Sequence, residues 1–389
     1  TSDAGAAYVF VRNGSSWSQQ AYLKADNSDF DAFFGKSVSI SGDTIVVGAS
    51  GEASSATGVN GDGNDFSAPA AGAAYIFVRD GVSWSQQAYL KASNAEAGES
   101  FGMAVSIWED TVVVGAPFER SDATGVDGDE TNNNILAAGA AYVFERSGAN
   151  WVQQAYLKAS NTGWNDSFGA SVAVSRDTIA VGATGERSGA TGVGGDQTDD
   201  SVAFAGAVYT FQRTSTHWIP DAYLKASNTD ASDVFGRSLA LDRDFLVVGS
   251  LKEGSNATTI NGDANNNSAP SAGAAYLFTR HGPVWAQDAY IKAPNSEGAD
   301  AFGTVALSRR TLVVGAQGED SGGNQNDNGT SGAGAAYSFE LDVNTVIAAE
   351  HPAGTLLVSD SSVLDFGEAL SGTVTNAKVV TLRNEGTDA

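Results

Sequence analysis

Residues 72 to 92 read GAAYIFVRDGVSWSQQAYLKA, and the fold is decided by how this stretch recurs. Its apolar residues follow a period of two, the signature of strands rather than helices. Asp80-Gly81 supplies the tight turn that folds the two halves onto each other. The motif Gly-Ala-(Ala/Val)-Tyr-x-Phe begins at Gly5, Gly72, Gly139, Gly206 and Gly273, each step 67 residues, and again at Gly334 after a step of 61. A tryptophan follows at Trp17, Trp84, Trp151, Trp218 and Trp285, and Ala-Tyr-(Leu/Ile)-Lys recurs around Tyr22, Tyr89, Tyr156, Tyr223 and Tyr290. All eleven tyrosines fall on these two positions. Constant spacing at this length marks an architecture in which each unit buries its apolar surface against its neighbours.

Upstream of residue 72 the unit opens with FGKSVSI from Phe34, turns at Ser41-Gly42-Asp43, and continues as TIVVGA, a second hairpin. A loop of about twenty residues rich in Gly, Asn, Asp and Ser separates the two hairpins, longer than most connections in a compact domain. The expected fold is therefore all-β, a β-propeller of four-stranded antiparallel blades. Five repeat units and an N-terminal half blade are present, and six or seven blades would complete the ring. A solenoid is the alternative, although solenoid repeats are usually shorter and more uniform in loop length. Gly35 and its equivalents leave room near the axis, the Gly-Ala pairs (Gly48-Ala49, Gly115-Ala116, Gly182-Ala183) keep the second strand thin, and Tyr, Phe and Trp are expected between blades.

Phe101-Gly102 followed by Gly115-Ala116-Pro117 spells out an FG-GAP repeat, and residues 1 to about 345 resemble bacterial members of that group, relatives of the integrin α propellers. The resemblance implies a secreted or cell-surface binding scaffold, since such propellers serve in adhesion receptors, in some lectins and as accessory domains of secreted enzymes. It does not by itself fix a function. In integrin-type repeats an Asp-rich calcium loop lies in the hairpin between the first two strands. Here that hairpin is a tight turn (Ser41-Gly42-Asp43, Glu109-Asp110, Arg176-Asp177, Arg243-Asp244), too short to wrap an ion.

The long loop is where calcium is expected instead. Its versions read NGDGNDFS from Asn60, DGDETNNN from Asp127, GGDQTDDS from Gly194 and NGDANNNS from Asn261, with a shortened NQNDNG from Asn324. Oxygen side chains at alternating positions, with glycine permitting the turn, suit a hard cation such as Ca²⁺. The candidate ligands are Asn60, Asp62, Asn64, Asp127, Asp129, Asp196, Asp263 and Asn265. Glu52 and Glu119, which open a series continued by Glu186, Glu253 and Glu319 just after each Gly-Ala strand, could reach the same loops. The competing reading is that Asn, Asp and Gly make turns through side-chain-to-backbone bonds and that the glutamates cap backbone N–H groups.

A net charge of −25 argues against nucleic acid or an anionic membrane surface as partner. No stretch approaches a membrane span, no signal peptide stands at Thr1, and the absence of cysteine excludes disulfides. The chain opens in mid-blade, which suggests a segment of something longer. His217, His281 and His351 fall at unrelated repeat positions, and neither a nucleophile elbow nor a phosphate-binding loop occurs, so no enzyme is supported.

The chain therefore reads as a propeller over residues 1–349 and a different segment over 350–389. In that segment Leu364-Asp365-Phe366-Gly367 and Val379-Val380-Thr381-Leu382-Arg383-Asn384-Glu385-Gly386 resemble the opening strands of a Hydin-type immunoglobulin-like domain. Closing strands of the propeller are the alternative. The expected function is a non-enzymatic, secreted or cell-surface interaction module, with protein or glycan as partner. A carbohydrate-binding propeller, in which the off-repeat Trp108 or Trp164 would contribute, an extracellular filament subunit, and an accessory domain of an enzyme are its rivals.

Overall fold

The structure, a computed structural model, describes residues 2–341 apart from 216, 323, 325 and 326, together with the backbone of 363–365 and 379–381. Contacts divide the chain into units 1–339 and 340–389.

The first unit is a β-propeller and contains no helix among its described residues. It opens with an antiparallel pair, β1 (Ala7–Asn13) and β2 (Ser16–Leu23). Blade 1 follows as β3 (Phe34–Ser41), β4 (Thr44–Ala49), β5 (Ala73–Asp80) and β6 (Ser83–Leu90), paired in sequence order. Blade 2 is β7 (Ala104–Trp108), β8 (Thr111–Ala116), β9 (Ala140–Ser147) and β10 (Asn150–Leu157). Blade 3 is β11 (Phe168–Ser175), β12 (Thr178–Ala183), β13 (Ala207–Arg213) and β14 (Trp218–Leu224). Blade 4 is β15 (Ser238–Asp242), β16 (Phe245–Ser250), β17 (Ala274–His281) and β18 (Val284–Ile291). Among the described residues blade 5 contributes three strands, β19 (Phe302–Ser308), β20 (Thr311–Ala316) and β21 (Ala335–Glu340). The first strands of successive blades, β3, β7, β11, β15 and β19, pack side by side. In the second unit β22 (Val363–Asp365) pairs antiparallel with β23 (Val379–Thr381). Most residues of the immunoglobulin-like reading lie outside the described residues.

Each blade has two different faces. Val46, Ala74, Ile76 and Leu90 of blade 1 form a small aliphatic surface, and Phe101, Tyr142, Phe144, Trp151 and Tyr156 of blade 2 pack into it as one buried cluster. The same division recurs between blades 2 and 3 and between blades 3 and 4. Within the aromatic face Phe101 meets Tyr142 and Phe144 edge-on, at 5.3 and 6.1 Å between ring centres, a favourable arrangement for aromatic rings.

Close approach explains the fixed glycines. A Cβ on Gly115 of β8 would lie 2.0 Å from the Gly169 carbonyl oxygen of the next blade, so the Gly-Ala strand is thin because a neighbour's backbone rests on it. Gly102 has φ +87°, and a Cβ there would lie 2.2 Å from the Ala73 carbonyl oxygen.

A β-bulge recurs in each outer hairpin and has a direct purpose. Between Ile76 and Phe77 the register slips so that Gln87 has no partner residue on β5. Bulges re-aim a side chain, and Gln87 turns to accept a 2.9 Å hydrogen bond from Trp151 Nε1 of the following blade. Gln20 accepts from Trp84 at 2.8 Å, Gln154 from Trp218 at 2.9 Å, and Asp221 from Trp285 at 2.9 Å. Each indole N–H is thereby satisfied without opening the interface.

Candidate functional site

Most of the polar chemistry is gathered beneath the long loops. In blade 2, Glu119 is buried where the chain leaves β8. Its Oε2 accepts from Lys158 Nζ at 2.7 Å, and its Oε1 accepts from Tyr156 Oη at 2.9 Å, Asn94 Nδ2 at 3.2 Å and the Ser121 N–H at 3.0 Å. Lys158 Nζ also donates to the Ser121 carbonyl at 2.8 Å. Asn94 comes from the end of blade 1, donates to the loop carbonyl of Glu130 at 3.0 Å, and accepts from Tyr142 Oη of blade 2 at 2.6 Å. One amide therefore ties two blades and a loop together. The set recurs as Glu52–Lys91 with Tyr89 and Asn27, Glu186–Lys225 with Tyr223 and Asn161, and Glu253–Lys292 with Tyr290 and Asn228.

Electrostatically each set is a buried ion pair whose remaining valences are filled by hydrogen bonds, the condition under which burying charge is tolerable. Burial pulls the lysines Lys91, Lys158, Lys225 and Lys292 below the usual range against the opposing pull of the glutamates. Burial likewise pushes the Tyr89, Tyr156, Tyr223 and Tyr290 hydroxyls up, so they stay protonated donors. Glu52 and Glu119, expected as ligands reaching toward the loop, thus stand under it with both oxygens engaged, and they cap the backbone N–H of Ser54 and Ser121.

The loop residues behave as turn-makers. Asn60 and Asp127 adopt positive φ, and their Oδ1 atoms accept from the N–H groups of Tyr89 and Tyr156 at 2.9 Å, clipping the loop to the fourth strand. At the equivalent place in blade 3 sits Gly194, also at positive φ. Asp62 Oδ1 accepts from the Asn64 N–H, Asp129 from Thr131, Asp196 from Thr198 and Asp263 from Asn265, each spanning two residues at 2.9 to 3.0 Å. Hydrogen bonds from Thr131 and Thr198 hold Asp129 and Asp196 below the ordinary carboxylate range. Among the described residues no three His, Asp or Glu side chains stand together as a metal site.

A second series of carboxyls lies near the blade junctions. Burial raises Glu99 to about 8 and Asp166 and Asp233 to about 7. Asp166 accepts from the Gly163 N–H at 2.7 Å, and Asp233 from the Asp230 N–H at 3.1 Å. The lysine and asparagine of the lock and these carboxyls escaped the sequence reading, yet all recur: Lys-Ala-x-Asn closes each fourth strand, and an acidic residue stands two before the Phe in Glu99, Asp166, Asp233 and Asp300.

The FG-GAP repeat model matches residues 17–77, 84–144, 151–211, 218–278 and 285–339, so the chain belongs to the FG-GAP repeat family. Each match runs from the Trp of one sheet's last strand to the Phe of the next sheet's third strand, out of phase with the blade. No curated protein matches the chain. No helix among the described residues is long and apolar enough to cross a membrane.

Proposed function

We propose that this chain is a non-enzymatic interaction module acting outside the cell or at a cell surface, in the manner of an adhesion or matrix scaffold. The observation that supports it is the division of labour in each unit. Buried Glu, Lys, Tyr and Asn are consumed in the lock that joins blades, while exposed Asp, Asn and Thr side chains of the long loops are free to vary between units. A rigid frame with variable loops suits recognition. The acidic, cysteine-free composition accords with that setting.

Calcium belongs to this reading as a stabiliser of the loops. Asp62, Asp129, Asp196 and Asp263 use Oδ1 for the turn, which leaves Oδ2 for a cation together with neighbouring amide and carbonyl oxygens. A turn aspartate that offers only its remaining oxygen makes a weak site, of the roughly 10⁻⁴–10⁻³ M class found in extracellular modules. Self-association is a second reading, favoured by the exposed aromatic side chains Tyr8, Phe10, Trp17 and Tyr22 on β1 and β2.

The test is saturable binding of the labelled chain to intact cells and matrix preparations, in millimolar Ca²⁺ and in excess chelator, with light scattering on the same sample. Saturable binding to a surface is expected, weaker in chelator. No saturable binding, or turnover of a substrate in a hydrolase panel, overturns the module reading; equal binding with and without chelator overturns calcium alone. A monodisperse monomer removes self-association.

A further inference from the structure

The repeat provides its own controls, and at one junction it breaks its own rule. Where neighbouring blades meet at their first hairpin turns, an oxygen side chain of one blade accepts the N–H of the next blade's turn. Ser41 Oγ accepts from the Glu109 N–H at 2.9 Å, Ser175 Oγ from the Arg243 N–H at 3.0 Å, and Asp242 Oδ2 from the Arg309 N–H at 2.5 Å. At the junction of blades 2 and 3 this position is Trp108, which has no oxygen to offer the Arg176 N–H. The substitution gives up an interblade hydrogen bond and places a half-buried indole at the rim. Departures from local consistency in an otherwise regular fold mark functional positions.

The same junction holds a cleft of about 570 Å³ lined by Trp108, Glu109, Asp110, Arg146, Arg176 and Arg213, with Glu145 and Asp177 beside them. Its size is that of a small-molecule site. Two of its arginines are already committed, Arg146 to Asp110 and Arg213 to Glu145. Arg176 is exposed, and its guanidinium has no ion pair or hydrogen bond among the described residues. The cleft thus combines an apolar ring surface, a free planar donor, and carboxylates able to accept from hydroxyl groups.

We propose that this cleft binds a neutral pyranose, one C–H face of the sugar against Trp108, its hydroxyls donating to Glu109 and Asp177, and Arg176 donating to a ring or hydroxyl oxygen. Neutral rather than acidic sugar follows from charge. Four carboxylates (Glu109, Asp110, Glu145, Asp177) face three guanidiniums, and the whole chain carries −25, so an anionic saccharide is repelled. The inference deepens the interaction-module reading and rests on it.

The test presents the full chain to an array of neutral and uronate-bearing glycans and follows any hit by tryptophan-fluorescence titration. Trp108→Ser installs the residue found at this position in two other repeats, so the interblade hydrogen bond it restores should offset part of the indole packing it removes and the protein should stay folded. Its affinity for the hit should drop by at least about tenfold, with the fluorescence change lost, while Trp164→Ser, at an exposed indole, binds as the parent does. Arg176→Ala removes a side chain with no intramolecular partner and should weaken binding about threefold or more, which keeps the proposal testable even if Trp108→Ser folds poorly. An array without a neutral hit, preference for uronates, or full affinity in Trp108→Ser or in Arg176→Ala overturns it. An empty array with retained binding to cell surfaces sinks the sugar site and leaves the module reading standing; enzymatic turnover sinks the module reading itself.

Discussion

The opening pair β1–β2 and the outer hairpin of blade 1 have almost the same sequence and different surroundings. Tyr8 and Tyr22 sit 5.2 Å apart between ring centres, and Tyr75 and Tyr89 sit 5.3 Å apart. The local geometry is therefore a property of the hairpin. Burial is not: Tyr8 is 57% exposed and Tyr75 is 1% exposed. Blade 1 turns its aromatic face onto the small residues of β1 and β2, whereas no described blade precedes the opening pair. Strand pairing, bulge and ring contact are written into each unit, and the stabilisation comes from the neighbour, as in other repeat proteins.

The comparison is broken most forcefully at tryptophan. Trp151 is buried and bonded to Gln87, so Trp151→Ala should cost about 3 to 5 kcal/mol in denaturant unfolding through cavity formation. Trp17→Ala, at the same repeat position but 66% exposed, should stay within about 0.5 kcal/mol. Equal effects at the two sites would mean that the hairpin itself, rather than the neighbouring blade, supplies the energy.

Lysine gives the next largest contrast. Lys158→Met leaves the Glu119 carboxylate buried without its counter-ion, for an expected loss of about 3 kcal/mol, toward the lower end for such pairs because Tyr156, Asn94 and Ser121 still donate. Lys24 occupies the same repeat position and donates to the Gly5 carbonyl with no glutamate beside it, so Lys24→Met should cost under about 1 kcal/mol. A thermal or urea melt of both variants decides it, and a Lys158→Met protein as stable as its parent would show the lock to be ornamental.

The smallest effect sharpens the picture through pH. Burial raises Asp166 from 3.8 to about 7, with Glu186 and Asp200 adding to the rise and the Gly163 N–H and Arg187 opposing it. A carboxyl whose folded value lies above its unfolded one contributes stability that is complete below about pH 4 and is lost as pH climbs through about 7. Asp166→Asn should therefore lose less melting temperature than the parent between pH 5 and pH 8, and gain relative stability at pH 8. Parallel pH profiles would refute the raised value. The opening unit carries Ala32 at this position, so the effect has no counterpart there.

The propeller was legible because aromatic, glycine and turn residues recur at one spacing, and recurrence with period-two patterning leaves little else to build. The lock was not legible. Glu119 stands 37 residues before Tyr156 and 39 before Lys158, and a recurring polar residue looks the same whether it faces solvent, a cation or a buried partner. Asn94 shows why most plainly, since its amide acts in the blade after the one whose last strand it follows. The candidate ligands Asp62 and Asp129 stand in the long loops, and only coordinates reveal that one oxygen of each already makes a turn. Trp108 drew notice as off-repeat, while the missing hydrogen bond that gives it meaning appears only by comparing junctions.

The bulged Gln87 and its equivalents have an implication for how such a gene can change length. Blades 1 to 3 each carry both halves of the joint, a tryptophan facing back and a bulged acceptor facing forward. Recombination between any two equivalent codons therefore adds or deletes a whole number of 67-residue registers and regenerates the same joint at the splice. Such a lineage can lengthen or shorten its propeller in one step, leaving its loops free to diverge afterwards.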